Sequence, residues 1–300
     1  MNTINCLDSA HGENWSMYNG DCVEITRQMP SCSVDLSIYS PPFSDLFIYS
    51  DSTRDMGNCS GDDQFAEHYG HLLREMFRIV RPGRMCAVHV SDLPARKSRE
   101  GFIGLRDFSG DVIRAHQAAG FHYHSRITVW KDPVTEMQRT KAHGLLWKNI
   151  KDDSTRNRVG MPDYILIFKR PPITKAEEEM VRKVSHTPEE FPVSQWQQWA
   201  SPVWMDIDQG RTLNVRNARG QGDEKHMCPL QLDVIERLAV LYSNPGEVVF
   251  SPFGGVGSEG VGSLVFGRRY VGSELKPEYF AQAVKNLTAA ESSDQVKLFG

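Results

Sequence analysis

Short apolar runs and longer amphipathic stretches alternate along this chain, the pattern of a parallel sheet covered by helices. Trp15–Tyr18 reads as a short strand ended by Asn19-Gly20-Asp21, and Cys22–Gln28 as a short helical turn. Ser33–Ile38 (SVDLSI) is a compact apolar strand, which the prolines of Ser40-Pro41-Pro42-Phe43 must stop. Phe43–Gly61 is a loop of aromatic, Asp, Ser and Gly residues. Gln64–Val80 sets Leu72, Leu73, Met76, Phe77 and Val80 on one helical stripe and ends at Arg81-Pro82-Gly83. Arg84–Val90 is the next buried strand, and Asp107–Ala119 is a helix closed by Gly120. Phe121–Trp130 and Tyr164–Phe168 read as strands that pair as an antiparallel edge.

The rhythm breaks twice. Lys131–Pro162 is polar, with Lys131, Arg139, Lys141, Lys148, Lys151, Arg156 and Arg158 set against Asp132, Glu136, Asp152 and Asp153. After Pro171-Pro172 and the acidic run Glu177-Glu178-Glu179, the stretch to Arg219 is rich in Gln, Trp, Pro and Arg and has no sheet period. It reads as an inserted module, in which Trp196, Trp199 and Trp204 form a small core or a partner surface. From Cys228 the α/β rhythm returns, with helix Pro229–Leu241, strand Glu247–Phe250, a glycine-rich loop, helix Ser258–Phe266, strand Tyr270–Gly272 and helix Lys276–Leu287.

Composition narrows the class. Three hundred residues with 40% hydrophobic and 24% charged content make a globular chain of one large or two modest domains, not a disordered one. No run reaches the ~18–20 consecutive apolar residues of a membrane span. Met1–Trp15 has no basic-then-apolar leader, so a cytoplasmic protein is expected. The net charge of −4 argues against a generally basic nucleic-acid coat but leaves room for a local basic face. The six cysteines contain no CxxC pair and read as reduced thiols. His122 and His124 alternate in a strand with no third ligand nearby, so no metal site is expected.

Two segments carry chemistry. In VVFSPFGGVGSEG, Val248–Gly260, a strand delivers Gly254, Gly255 and Gly257 to the start of a helix. Glycines there let a ligand approach the backbone closely, and the helix start offers free N–H groups. The next strand ends at Glu274, where a ribose diol is held in nucleotide-type Rossmann sites. In VDLSIYSPPF, Val34–Phe43, a buried strand ends in a rigid Ser-Pro-Pro-aromatic turn. Its hydroxyl and carbonyls can accept N–H bonds from a planar amine while the ring stacks on it. Alone, each segment also fits a tight turn or a proline-capped strand.

Together the two segments resemble the DNA amino-methyltransferases, which use S-adenosylmethionine to modify adenine N6 or cytosine N4. That family's [D/N/S]PP[Y/F/W] motif corresponds to Ser40-Pro41-Pro42-Phe43, and its DPFxGxGT motif to Ser251-Pro252-Phe253-Gly254-Gly255-Val256-Gly257-Ser258. Glu274 follows as the family's strand-end acid, and Asn19-Gly20-Asp21 is similar to its GD, whose acid meets the cofactor adenine. Arg78–Gly83 is similar to the stretch after the catalytic loop. Lys225-His226-Met227-Cys228-Pro229-Leu230-Gln231-Leu232 resembles the K-H-P-x-x-x-L segment beside the methionine moiety. The catalytic motif precedes the cofactor motif, as in the permuted β class. Ser251 replaces the usual Asp, Ser258 the usual Thr, and Arg84 a frequent Gly.

The resemblance implies an α/β fold, a Rossmann-like seven-stranded methyltransferase sheet, circularly permuted, with an inserted target-recognition region. It implies a catalytic set of Ser40, Pro41, Pro42 and Phe43. It implies a cofactor set of Asp21, Lys225, His226, Pro229, Ser251, Phe253, Gly255, Gly257, Ser258 and Glu274. The chain then divides into a catalytic half (1–130), a basic insert (131–162), an edge strand (163–170), a recognition region (171–224), a cofactor half (225–290) and a tail (291–300). Arg139, Lys141, Lys148, Arg156 and Arg158 suit phosphates of double-stranded DNA, and Arg211, Arg216 and Arg219 have the side chains that read base edges. A homodimer and a restriction-modification role accompany this reading, and the target base stays open. The same chemistry on RNA or on a protein glutamine, and a non-catalytic DNA-binding regulator of the same fold, are the alternatives.

Overall fold

The computed structural model describes residues 4–42, 62–95, 101–102, 104–140, 147–156, 159–214 and 229–292. The first half carries β1 (Asp8–His11), β2 (Trp15–Asn19), α1 (Cys22–Gln28), β3 (Val34–Tyr39), α2 (Asp62–Ile79), β4 (Val80–Val90), β5 (Leu93–Ala95), β6 (Gly104–Arg106), α3 (Phe108–Ala118) and β7 (His122–Val129). The middle part carries α4 (Pro133–Thr140), α5 (Trp147–Asp153), β8 (Asp163–Lys169), α6 (Lys175–Glu179), α7 (Val193–Trp199) and β9 (Val203–Trp204). The last part carries α8 (Leu232–Tyr242), β10 (Val248–Ser251), α9 (Ser258–Val265), β11 (Arg269–Glu274) and α10 (Pro277–Ser292).

One large sheet runs β1-β2-β11-β10-β3-β4-β8-β7-β9. Strands β2, β11, β10, β3 and β4 are mutually parallel, so their carboxyl ends share one edge. The two strands of the C-terminal half, β10 and β11, lie between β2 and β3. Every residue of β3 is buried, as befits a central parallel strand covered on both faces. On one face Val34, Tyr39, Cys86 and Val88 pack with Leu72, Leu73 and Met76 of α2 and Val112 of α3. On the other, Leu36, Ile38 and Val249 pack with Val234, Ile235 and Leu238 of α8. Trp15, Met17 and Tyr270 pack with Leu264 of α9 and Phe280, Ala283 and Leu287 of α10.

The sheet differs from the expected one in three ways. Among the described residues it has nine strands rather than seven, because β1 folds back antiparallel on β2 and β9 adds to β7. Residues 163–170 do not form an edge. Strand β8 is flanked by β4 and β7, antiparallel to both, as its fully apolar Ile165–Phe168 core requires. Strand β4 begins at Val80 rather than Arg84, because a register shift against β3 absorbs Pro82 and Gly83. The segment around α7 and β9 packs on α8. Trp204 is buried, its indole N–H donates to the Trp199 carbonyl, and the Arg237 guanidinium lies over both rings. Trp196 stays exposed.

Arg84, the residue standing in the frequent glycine position, is 2% exposed and ties three strands together. Its guanidinium pairs with Glu247 at the head of β10 and lies 3.5 Å from Asp35 of β3, which Arg81 also meets at 2.9 Å. Removing the cation takes the ion-pair partner from Glu247 and leaves Asp35 with Arg81 alone. Arg84→Ala should therefore lower unfolding free energy by about 3–5 kcal/mol in urea titrations. A loss under about 1 kcal/mol would show that the cluster does not hold these strands.

Candidate active site

Four neighbouring parallel strands deliver the chemically distinctive residues to one edge. In sheet order they are Asp21 after β2, Glu274 at the tip of β11, the glycine loop after β10, and Ser40-Pro41-Pro42 after β3. Register aligns the first two: Glu274 pairs with Asn19, whose side-chain amide donates to the Glu274 and Leu275 carbonyls at 2.8 and 3.0 Å. Asp21 caps α1, with one carboxylate oxygen accepting from the Val23 and Glu24 amides. Both Asp21 and Glu274 act on the buried Cys22 thiol, whose pKa rises through burial first and then through their negative charge.

The glycine loop is shaped for a ligand. Gly255 and Gly257 sit at φ +51° and +87°, a region that disfavours any side chain. A Cβ on Gly255 would meet open space, so the loop presents bare backbone there. Glu274 braces it: one carboxylate oxygen accepts from the Gly255 amide at 2.8 Å and the other from the Lys276 amide at 2.8 Å. Phe253 rests against Tyr39, ring centroids 5.8 Å apart, and so joins this loop to the strand that carries Ser40. Ser258 opens α9 and is buried, and Pro229 stands just before α8. Ser251, at the end of β10, is wholly buried beside the Tyr270 phenol.

Sequence reasoning passed over Glu259, in the first turn of α9. It is 5% exposed, and burial, reinforced by the Glu274 charge, pushes its pKa up to about 8. Between about 4.5 and 8 the native protein then holds a proton that the unfolded chain has released, so stability falls as pH rises through that window. Each unit of displacement is worth about 1.4 kcal/mol. Glu259→Gln should lose less stability than the parent between pH 5 and pH 8.5 in chemical unfolding. Equal losses in the two proteins would refute the assignment.

The Ser-Pro-Pro turn is anchored from behind. The Tyr39 hydroxyl meets the Tyr69 hydroxyl and the His116 ring, each at 3.0 Å. His116 Nδ1 donates to the Val112 carbonyl, and burial brings its pKa down to about 3, so a neutral Nε2 accepts from Tyr39. Pro41 and Pro42 are buried. The Ser40 hydroxyl lies 2.8 Å from His89 Nδ1. His89 Nε2 stands 3.1 Å from Asp163, which also pairs with Lys131. Strand register explains the cluster. Tyr39 pairs with Val88, which sets Ser40 beside His89, while Val90 pairs with Tyr164 and Val129 with Asp163. Burial alone would raise the Asp163 pKa, but His89 and Lys131 outweigh it and hold it at about 2.

His89 and Asp163 were not anticipated, because β8 was expected at the sheet edge; placed beside β4, its first residue necessarily reaches the end of β4. Lys131, grouped with the basic insert, is engaged by Asp163. Arg211 is likewise engaged: its guanidinium pairs with Asp233 and Glu236 of α8. Phe43, Lys141, Arg158, Arg216, Arg219, Lys225 and His226 lie outside the described residues, as do the side chains of Arg139, Lys148 and Arg156. Among the described residues no group of three or more His, Cys, Asp or Glu side chains is placed to hold a metal ion, and no helix is long and apolar enough to cross a membrane.

Known proteins are similar to this chain. The type II methyltransferase M.BamHI of Bacillus amyloliquefaciens is 21% identical over 286 residues, covering 90% of this chain and 57% of its own length. This chain thus spans little more than half of that relative. Among solved structures, the DNA modification methylase TTHA0409 of Thermus thermophilus, complexed with S-adenosyl-L-methionine, superposes with TM-score 0.62 at 20% identity. It covers 92% of this chain and 96% of its own. The PvuII cytosine-N4-specific DNA methyltransferase gives TM-score 0.63 at 16% identity, covering 96% of each chain. At these identities the two structures speak for the fold, a Rossmann-like α/β sheet. A family model described as DNA methylase, of the N6 and N4 kind, matches residues 34–285, from the start of β3 into α10, and this chain belongs to that family.

Proposed function

We propose that this chain moves a methyl group from S-adenosylmethionine to the exocyclic amine of a flipped base in double-stranded DNA. The observation that carries the reading is the order of strand ends: Asp21, Glu274, the glycine loop and Ser40-Pro41-Pro42 stand side by side on one sheet edge. The loop fits the cofactor, since Gly255 leaves open backbone and Glu274 is already oriented beside it. Glu274 would hold the ribose diol, Asp21 the adenine, and Gly255, Gly257, Ser258, Phe253 and Pro229 the walls, with Lys225 and His226 at the methionine end. The carboxylates of Asp21 and Glu274 suit a cationic donor. The bound cofactor supplies a methyl already activated by its sulfonium.

The protein's own task is the amine. Its lone pair is delocalised into the base ring, which makes it a poor nucleophile. Ser40 Oγ and the Pro41 carbonyl accept its two N–H bonds, favouring a tetrahedral nitrogen and stabilising the charge that builds there. Phe43 stacks on the flipped base. Arg139, Lys141, Lys148, Arg156, Arg158, Arg216 and Arg219 supply the DNA face, with Arg211 left to bind α8. The chain order corresponds to the permuted β class, and adenine N6 and cytosine N4 both stay open. We place the protein in the cytoplasm as a homodimer, which sedimentation velocity at micromolar concentration distinguishes from a monomer.

Transfer of labelled methyl groups to duplex DNA, structured RNA and cell protein, offered in parallel, tests the reading. Label in duplex DNA alone is expected. Label in RNA or protein only would replace the proposal with an alternative acceptor.

A further inference from the structure

We propose that His89, fixed by Asp163 and Lys131, takes up the proton released by the target amine, relayed through the Ser40 hydroxyl. The inference rests on the methyl-transfer reading of the same site. Ser40 Oγ is 2.8 Å from His89 Nδ1, and His89 Nε2 is 3.1 Å from Asp163 Oδ2. A carboxylate on Nε2 demands a proton there, so Nδ1 carries the lone pair and the Ser40 O–H donates to it. That leaves the lone pairs of Ser40 free to accept from the amine. The charged contact with Asp163 thus sets the tautomer, and the hydrogen bond to Nδ1 sets the hydroxyl.

The proton inventory closes. The amine lone pair forms the N–C bond, the donor sulfur keeps the electron pair of the broken S–C bond, and the nitrogen becomes positive. An N–H proton passes to Ser40 Oγ as the Ser40 proton passes to His89 Nδ1. The imidazolium faces the Asp163 carboxylate and later returns its proton to solvent. Among the described residues three groups face His89: Ser40 after β3, Asp163 at the head of β8, and Lys131 after β7 through Asp163. Lys131 and His89 together keep Asp163 ionised, so the proton stops on the imidazole. His89 does not touch the base; it is a positioning residue acting through Ser40.

Single-turnover methylation of duplex DNA across pH tests this, using the parent, His89→Gln, Asp163→Asn and the Ser40→Ala/His89→Gln double variant. His89→Gln should transfer about 10²-fold more slowly and lose the acidic limb of the pH–rate profile. Its cofactor affinity by calorimetry should stay within about twofold, because His89 lies away from the glycine loop. The double variant should be no slower than Ser40→Ala alone. Histidine-selective ¹⁵N NMR of the parent gives a readout independent of activity and of variant folding: neutral His89 should carry its proton on Nε2. A proton on Nδ1, or a parent that methylates DNA while His89→Gln keeps its rate and pH profile, overturns the relay alone. A parent that methylates no DNA overturns the relay and the function reading together.

Discussion

Glu274→Ala should weaken S-adenosylmethionine binding by about 10²–10⁴-fold, read by isothermal titration. The carboxylate stands at the tip of β11, with its oxygens on the Gly255 and Lys276 amides, 2.8 Å each. It therefore does two jobs, fixing the glycine loop and presenting acceptor lone pairs to a diol. Hydrogen bonds to a charged group contribute about 1.5–3 kcal/mol each, and two of them account for the expected loss. Glu274→Gln should fall between, since the amide keeps one acceptor and turns a donor toward the Gly255 N–H. Thermal unfolding of both variants separates loss of the ligand from loss of the fold. Affinity within about threefold of the parent in a folded Glu274→Ala protein would remove Glu274 from the cofactor site.

The second large effect is on the chemical step. Ser40→Ala should leave cofactor affinity unchanged and lower the single-turnover rate by about 10²–10³-fold, the usual consequence of deleting one preorganised group from a site of developing charge. The backbone should not move, because Tyr39 is held by Tyr69 and His116, and Pro41 and Pro42 are buried. The hydroxyl is half-buried, so its replacement by a methyl disturbs little else. A rate within about threefold of the parent would show that the Pro41 carbonyl suffices.

Much of this site was legible along the chain because its parts are local. A strand, a glycine turn and a following helix are contiguous in Val248–Val265, and an acid at the next strand end is contiguous in Arg269–Glu274. Two prolines after an apolar run can only stop a strand, which fixed Ser40 at a sheet edge. The missed residues are brought together by pairing that no local pattern encodes. Asp163 meets His89 only because β8 lies beside β4, and antiparallel insertion into a parallel sheet leaves no mark on an apolar run such as Ile165–Phe168. Arg84 looked like a lost glycine, yet its meaning depends on Asp35 and Glu247, far apart in sequence. The pairing of Arg211 with Asp233 and Glu236 was hidden as well, because charge along a chain does not say which carboxylates fold over it. Glu259 sat unnoticed inside the glycine motif, since burial, not residue type, sets its chemistry.

The central claim is that the sheet edge bearing Ser40 and Glu274 methylates an exocyclic base nitrogen. Duplex DNA incubated with the protein and S-adenosylmethionine, digested to nucleosides and analysed by mass spectrometry, tests it most directly. N6-methyladenine or N4-methylcytosine is expected with the parent, and is lost or greatly reduced with Ser40→Ala and Glu274→Ala. Carbon-5 methylcytosine, or no modified nucleoside from a protein that binds the cofactor, would contradict it.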